Sequence, residues 1–161
     1  MNILAIDPGN KQSALVTWDG ARIGFKEILP NDAVFQYLHQ DWDQHPERLI
    51  VEQIRCFGMA VGAEILDTVF WSGRFVDRWA IKGLPWEMVP RIHVKAHLCG
   101  TARGTDATVR QALVDRFGDP GTKKAPGFTY GISKDLWAAF ALAVTWWDKK
   151  NGLMRDGTHA F

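Results

Sequence analysis

Two cysteines in 161 residues, Cys56 and Cys99, cannot build a disulfide framework, and neither belongs to a Cys-x-x-Cys pair. They are expected to be core thiols. No apolar run approaches the ~18 residues of a membrane span, and the N-terminus lacks a basic stretch followed by an apolar one. A cytoplasmic location without membrane contact is therefore expected. Low-complexity tracts are missing too, and with 23% charged and 47% apolar residues the chain should fold. At this length one domain covering 1–161 is expected, with room for a real core. A large charge imbalance is also absent. The formal net charge of +1 argues against a protein that coats nucleic acid through sheer basicity.

The charge that is present is unevenly spread. From Arg91 to Lys124 seven Lys and Arg face three Asp, a local +4, so the rest of the chain sums to −3. That permits a phosphate-binding face without demanding one, since a basic stretch is more often a solvated surface.

The apolar pattern divides the chain into elements. Ile3 to Ile6 read as a buried strand ended by Asp7, Pro8, Gly9 and Asn10, and Ala14, Leu15, Val16 and Trp18 as its hairpin partner. "ARIGFKEILP" makes a third strand ended by Pro30. A helix N-capped by Asn31 follows, with Val34, Tyr37 and Leu38 at helical spacing, and then a polar "QDWDQHPER" loop. "RLIVEQI" is a fourth strand. Ala60 to Trp79 reads as a long helix with apolar residues on more than one face: Val61, Ile65, Val69 and Val76 in one stripe, Leu66 and Phe70 beside it. "LPWEMVPRI" reads as a fifth strand and "HVKAHLCG" as a short helix closed by Gly100. His93 and His97 stand four apart on it, the spacing of a metal-binding pair, but no third ligand is near and a surface pair is expected. A helix capped by Thr105 or Asp106 and stopped by Gly118 comes next. Its Gly-rich entry is no Walker loop, because the Gly-Lys-Ser/Thr ending is absent. A basic Gly/Pro loop, 119–131, exposes Lys123, Lys124, Phe128 and Tyr130. A last helix is capped by Ser133, with Asp135 in its first turn, and 150–161 is expected to be a tail.

Three carboxylates stand in unusual places. Asp7 ends a buried strand, where an Asp-Pro turn opener is the plain explanation. Glu52 lies inside a run expected to be covered on both faces, where an unpaired acid is costly and Arg55 is a ready partner. Asp135 begins a helix, which the helix dipole alone explains.

Taken together and in order, they resemble something specific. "AIDPGN", "VEQIR", "VKAHLCGTARGTDATVRQAL" and "GISKDLWAAFALAVTW" resemble, along nearly the whole chain, the acidic motifs and central segment of the RuvC family of Holliday-junction resolvases, above all its phage-type members. The resemblance implies an α/β fold, an RNase H-like mixed five-stranded sheet flanked by helices in a single domain. It implies a Mg²⁺-dependent endonuclease cutting four-way DNA junctions, with Asp7, Glu52 and Asp135 as catalytic and metal-binding acids. Two Mg²⁺ ions per site are implied, with Mn²⁺ as a substitute, because two-metal phosphodiester hydrolysis needs carboxylates that hold hard cations roughly 3.5–4 Å apart. The resemblance also implies a homodimer, since symmetric nicks in a two-fold junction need two sites in one particle. Its seam is expected on Val61, Ile65, Leu66, Val69 and Phe70. Arg55, Phe57, Lys95, Arg103, Lys123 and Lys124 are the expected DNA contacts, with Phe57 stacking at the junction centre or packing in the core or the dimer.

The chain departs from the family in two places. Three residues after Asp135, where a fourth ligand is usual, stands Ala138, so either three carboxylates suffice, another group such as Ser133 contributes, or Asp135 is itself the late acid. Asp106 stands where bacterial members carry lysine, which passes charge assistance at the phosphate to Arg103, Lys123 or Lys124. Two other nuclease-fold readings stay open: a binding-only protein for branched DNA, and a nuclease for forks or RNA-DNA hybrids. An actin-like phosphotransferase, suggested by "IDPGN", fails because the chain is too short for a second lobe, so no nucleotide cofactor is expected.

Overall fold

A computed structural model describes residues 1–40, 46–56, 58 and 60–154. Phe57, part of the polar loop after the first helix, and most of the expected tail lie outside the described residues. Strands β1 (Ile3–Asp7), β2 (Gln12–Trp18) and β3 (Ile23–Pro30) form an antiparallel meander. Helix α1 (Asn31–His39) leads to β4 (Arg48–Gln53), and α2 (Ala63–Ala80) to β5 (Trp86–Pro90). Both strands join in parallel, giving a mixed sheet in the order β3-β2-β1-β4-β5. Helices α3 (Arg91–Cys99), α4 (Asp106–Phe117) and α5 (Leu136–Lys150) complete the chain. This is the five-stranded mixed sheet with flanking helices that the motifs imply.

Side chains alternate across a strand, so each central strand feeds two cores. Ile3, Ala5, Ala14, Val16, Ile50 and Val89 pack with buried residues of α3, α4 and α5. Leu4, Ile6, Leu15, Leu49 and Val51 pack on the other face with Val34 and Leu38 of α1 and Phe75 and Trp79 of α2. Covered on both sides, the strands read as unbroken apolar runs. Helix α5 is buried along nearly its whole length, from Leu136 to Trp146, because it lies across the middle of the sheet.

The helix ends differ from the sequence reading in physical ways. Asn31 is not the cap of α1; it is buried in the first turn, where its Oδ1 accepts from Ser13 Oγ at 2.7 Å and its Nδ2 donates to the carbonyl of Gly9 at 2.9 Å. The Gly9 N–H in turn donates to Ser13 Oγ. The Asp-Pro-Gly turn is thereby tied to the far end of the meander. A Cβ on Gly9 would meet the Gln12 carbonyl at 2.4 Å, so the turn requires glycine. Helix α2 begins at Ala63, not Ala60, and buries Ser72, Phe75 and Trp79 while Val61, Leu66, Val69 and Phe70 remain exposed and Ile65 half-buried. The fifth strand stops at Pro90, so Arg91 opens α3. Thr105 is the cap of α4, its Oγ1 accepting from the Thr108 N–H at 3.2 Å. Asp135 itself, not Ser133, holds the cap position of α5, and that helix runs to Lys150. Met154, just beyond it, is buried.

Two further expectations fail. Cys56 and Cys99 are half-buried, not core thiols. His97 is no surface residue: only 4% exposed, it lies 2.7 Å from Asp148 Oδ2 at the end of α5. Of the two histidines, His97 is thus committed to a buried hydrogen-bond contact with the last helix.

Candidate active site

Parallel registration puts the first two acids side by side. Ile6 pairs with Val51, so Asp7 and Glu52 are the next residues along adjacent strands, and both point to the α5 face because Ala5 and Ile50 do. They stand at the C-terminal ends of β1 and β4, where open α/β sheets usually bind ligands. The N-terminus of α5 brings Asp135 over those ends. A small cleft of about 70 Å³ joins Asp7 and Asp135 with Arg91, Asp106, Lys134 and Ala138.

Glu52 is 3% exposed and lies inside a strand, so it needs a partner. Arg91, not Arg55, supplies it: Nη1 donates to Glu52 Oε2 at 2.8 Å, while Nη2 donates to Asp106 Oδ1 at 2.7 Å. Lys95 adds a longer contact of 3.8 Å to Asp106. Arg55 instead turns outward and bonds Gln53 Oε1. Burial and the neighbouring charge of Glu52 push the Asp7 carboxyl well above the usual range, with Asp135 and Asp106 adding to the rise and Arg91 opposing it. Burial raises Glu52 as well, against the pull of Arg91. Asp106, bonded to Arg91 and open to water, is held low.

Two buried carboxylates side by side call for positive charge, and Arg91 provides one unit of it. The donor set is oxygen only, which fits a hard cation such as Mg²⁺ or Mn²⁺. Among the described residues no three His, Cys, Asp or Glu side chains are gathered around one point, and Glu52 is engaged by Arg91.

No protein-family model matches this chain, and no curated protein matches it. Solved structures do. The Thermus thermophilus RuvC structure superposes with a TM-score of 0.66 at 22% identity, covering 96% of this chain and 99% of that one. T. thermophilus RuvC in complex with Holliday junction substrate gives the same TM-score and identity, covering 96% and 98%. The chain has the RuvC fold.

Within this RuvC fold the structure sets Asp7 beside Glu52 and places Asp7 and Asp135 on one cleft, with Arg91, Lys95 and Asp106 at the rim. Sequence reasoning noted Arg91 only as part of a basic stretch. Its one available signal was a cation placed directly after the Pro that ends a strand beside Glu52. Ala138 offers a methyl group to the cleft, and Ser133 is exposed and not among its lining residues. Arg103, Lys123 and Lys124 are exposed and make no ion pair among the described residues. The two lysines sit at the tip of a tight turn closed by reciprocal backbone hydrogen bonds between Thr122 and Ala125. Behind them Phe128, 42% exposed, stacks on Phe117 with centroids 5.1 Å apart. A larger cavity of about 750 Å³ between α3, α4 and the end of α5 shares no lining residue with the cleft and holds His97, Arg116 and Asp148. No described helix is long and apolar enough to cross a membrane.

Proposed function

We propose that this chain is a cytoplasmic, Mg²⁺-dependent DNA endonuclease that resolves four-way junctions as a homodimer. The pairing of Asp7 with Glu52 at the ends of adjacent parallel strands carries the reading, in a fold shared with a RuvC solved with a Holliday junction substrate. Asp7, at the centre of the sheet with Glu52 and Asp135 to either side, would hold the divalent ions together with those two acids. Bound Mg²⁺ supplies the Lewis acidity that activates water and steadies the leaving oxygen. The protein's part is to hold the scissile phosphate still. Lys95 and Arg91 line the approach, and Lys123 and Lys124 extend it along the strand, where flexible ammonium groups in a turn suit phosphate rather than bases. Arg55, beyond β4, and Arg103, before α4, are further phosphate contacts.

The deciding experiment incubates labelled four-way junctions, forks, duplexes and RNA-DNA hybrids with the protein, with and without Mg²⁺. Paired nicks in the junction that need Mg²⁺ are expected. Cutting of forks or hybrids in preference moves the substrate within the same chemistry. A binding-only reading draws on Ala138 in the cleft and on the engagement of Glu52 by Arg91; it stands only if junctions are bound and never nicked.

A further inference from the structure

We infer that Arg91 is an exchangeable counter-ion: in the free protein it neutralises Glu52, and on DNA binding it passes to a backbone phosphate, releasing Glu52 to ligate the divalent cation. This deepens the nuclease reading and rests on it. Three observations lead there. The Glu52 side chain is 4% exposed and its carboxylate is held by Arg91, which itself lines the cleft with Asp7 and Asp135. A cation at Glu52 would compete with Arg91 for the same carboxylate, and among the described residues no metal-binding trio is assembled. Finally, the guanidinium has a second anchor: its other arm is bonded to Asp106, whose side chain is 77% exposed, and Arg91 itself is 32% exposed. Released from Glu52, Arg91 stays at the rim beside the place where a phosphate must lie.

The exchange conserves pairing at each stage. A guanidinium N–H donates to a carboxylate or a phosphate oxygen alike, so a phosphate takes the place of Glu52 on Nη1 while Nη2 keeps Asp106, without a loss of hydrogen bonds. Glu52, buried and newly unpaired, gains its compensating charge from the cation. The ion and the DNA therefore help each other bind, and by linkage each does so equally. Asp106 acts as the tether, which accounts for an acid at the rim of a site that binds a polyanion. Arg91 is in these terms a positioning residue for Glu52.

The test measures Mn²⁺ binding to the full-length protein by titration calorimetry, without and with junction DNA, for wild type, Arg91→Gln and Arg91→Lys. Circular dichroism melting checks that each variant folds. Arg91→Gln removes the competitor, so the free variant should bind Mn²⁺ roughly tenfold more tightly, the worth of one charged hydrogen bond. Arg91→Lys keeps the charge but lacks the fork that reaches both carboxylates, and should also bind more tightly, by roughly threefold or more on the same scale. Wild-type Mn²⁺ affinity should rise on adding junction DNA by a larger factor than that of either variant. A pure field effect of the cation would leave Arg91→Lys at wild-type affinity, and a purely structural arginine would lower affinity in both variants; either result overturns the exchange. Should Arg91→Gln fail to fold, Arg91→Lys decides by itself. If the wild type takes up Mn²⁺ and nicks junctions while the variants bind it unchanged, only the exchange falls. If the wild type neither binds Mn²⁺ nor nicks DNA, the nuclease reading falls with it.

Discussion

Asp7 and Glu52 meet at the ends of two buried strands, and each is a carboxyl that burial pushes upward. A group whose folded pKa is raised contributes stability that is complete below the unfolded value, about 4 for a carboxyl, and is lost as pH rises through the folded value. Metal-free protein should accordingly lose stability from these two groups as pH rises from about 4. Asp7→Asn removes one charge at constant volume, so at pH 8 it should melt higher than wild type in EDTA, by about 2–4 °C for each kcal/mol of relieved repulsion, while junction nicking disappears and junction binding persists. A variant that melts lower, or cuts within tenfold of wild type, removes Asp7 from the chemistry and returns it to its turn. Glu52→Gln and Asp135→Asn should likewise lose Mg²⁺-dependent nicking in the same assay. Asp148 behaves in the opposite sense. Burial alone would raise it, but His97 and a two-pronged Arg116 hold it below the usual range, with the guanidinium 2.5 and 2.9 Å from its two oxygens. Its stabilisation is present at neutral pH and fades as pH falls through its depressed pKa. Asp148→Asn should cost about 3 kcal/mol in urea unfolding at pH 7, and the difference from wild type should shrink toward acid; nicking per folded molecule should be unchanged.

The elements separate what a linear reading can find from what it cannot. Strands β1 and β4 were legible because burial on both faces leaves an apolar run, and an acid inside such a run is conspicuous whatever its neighbours. Helix entries were less so. Asn31 has the composition of a cap yet spends its amide on the turn after Asp7, a bond between positions 22 apart that no local rule contains. Arg91 and Glu52 are 39 apart, and only the parallel pairing of β5 with β4 makes them neighbours. His97 and Asp148 lie 51 apart and escaped for the same reason. The 119–131 loop was legible as basic and turn-rich, but not as an ordered device: a Cβ on Gly127 would meet the Asp119 carbonyl at 2.0 Å, and Gly121 bridges to Pro126, so the chain closes on itself and projects Lys123 and Lys124. Replacing both lysines by alanine should weaken binding to every DNA shape and reduce the salt slope by about 2, one for each lost phosphate contact. A filter-binding series across salt concentrations reads this, and an unchanged slope makes the turn a solvated surface.

At the scale of the whole molecule, the proposed junction resolution requires two cuts from a chain with one carboxylate cleft. A four-way junction has two-fold symmetry, and a two-fold dimer would present two clefts in matching relation to it. The surface available for that is the outer side of α2. Phe75 and Trp79 are fully buried against the sheet, which settles the inner side of the helix, while Leu66 and Phe70 are 60% and 61% exposed and Val69 is 47% exposed. Arg74 lies over the rings of Phe35, Phe70 and Trp71, so the apolar strip is edged by a cation already stacked on aromatics. Water is a poor neighbour for such a strip, and each Å² covered by a second copy gains about 25 cal/mol before the cost of association is subtracted. Because Val69 is solvent-facing in the isolated chain, Val69→Glu should leave the monomer folded, whereas the same change at Phe75 should unfold it. Val69→Glu should sediment as a monomer, melt cooperatively, and nick junctions singly without pairing its cuts. Wild-type protein that sediments as a monomer at tens of micromolar, with and without junction DNA, would end the paired-incision mechanism while leaving the carboxylate site intact as a nicking centre.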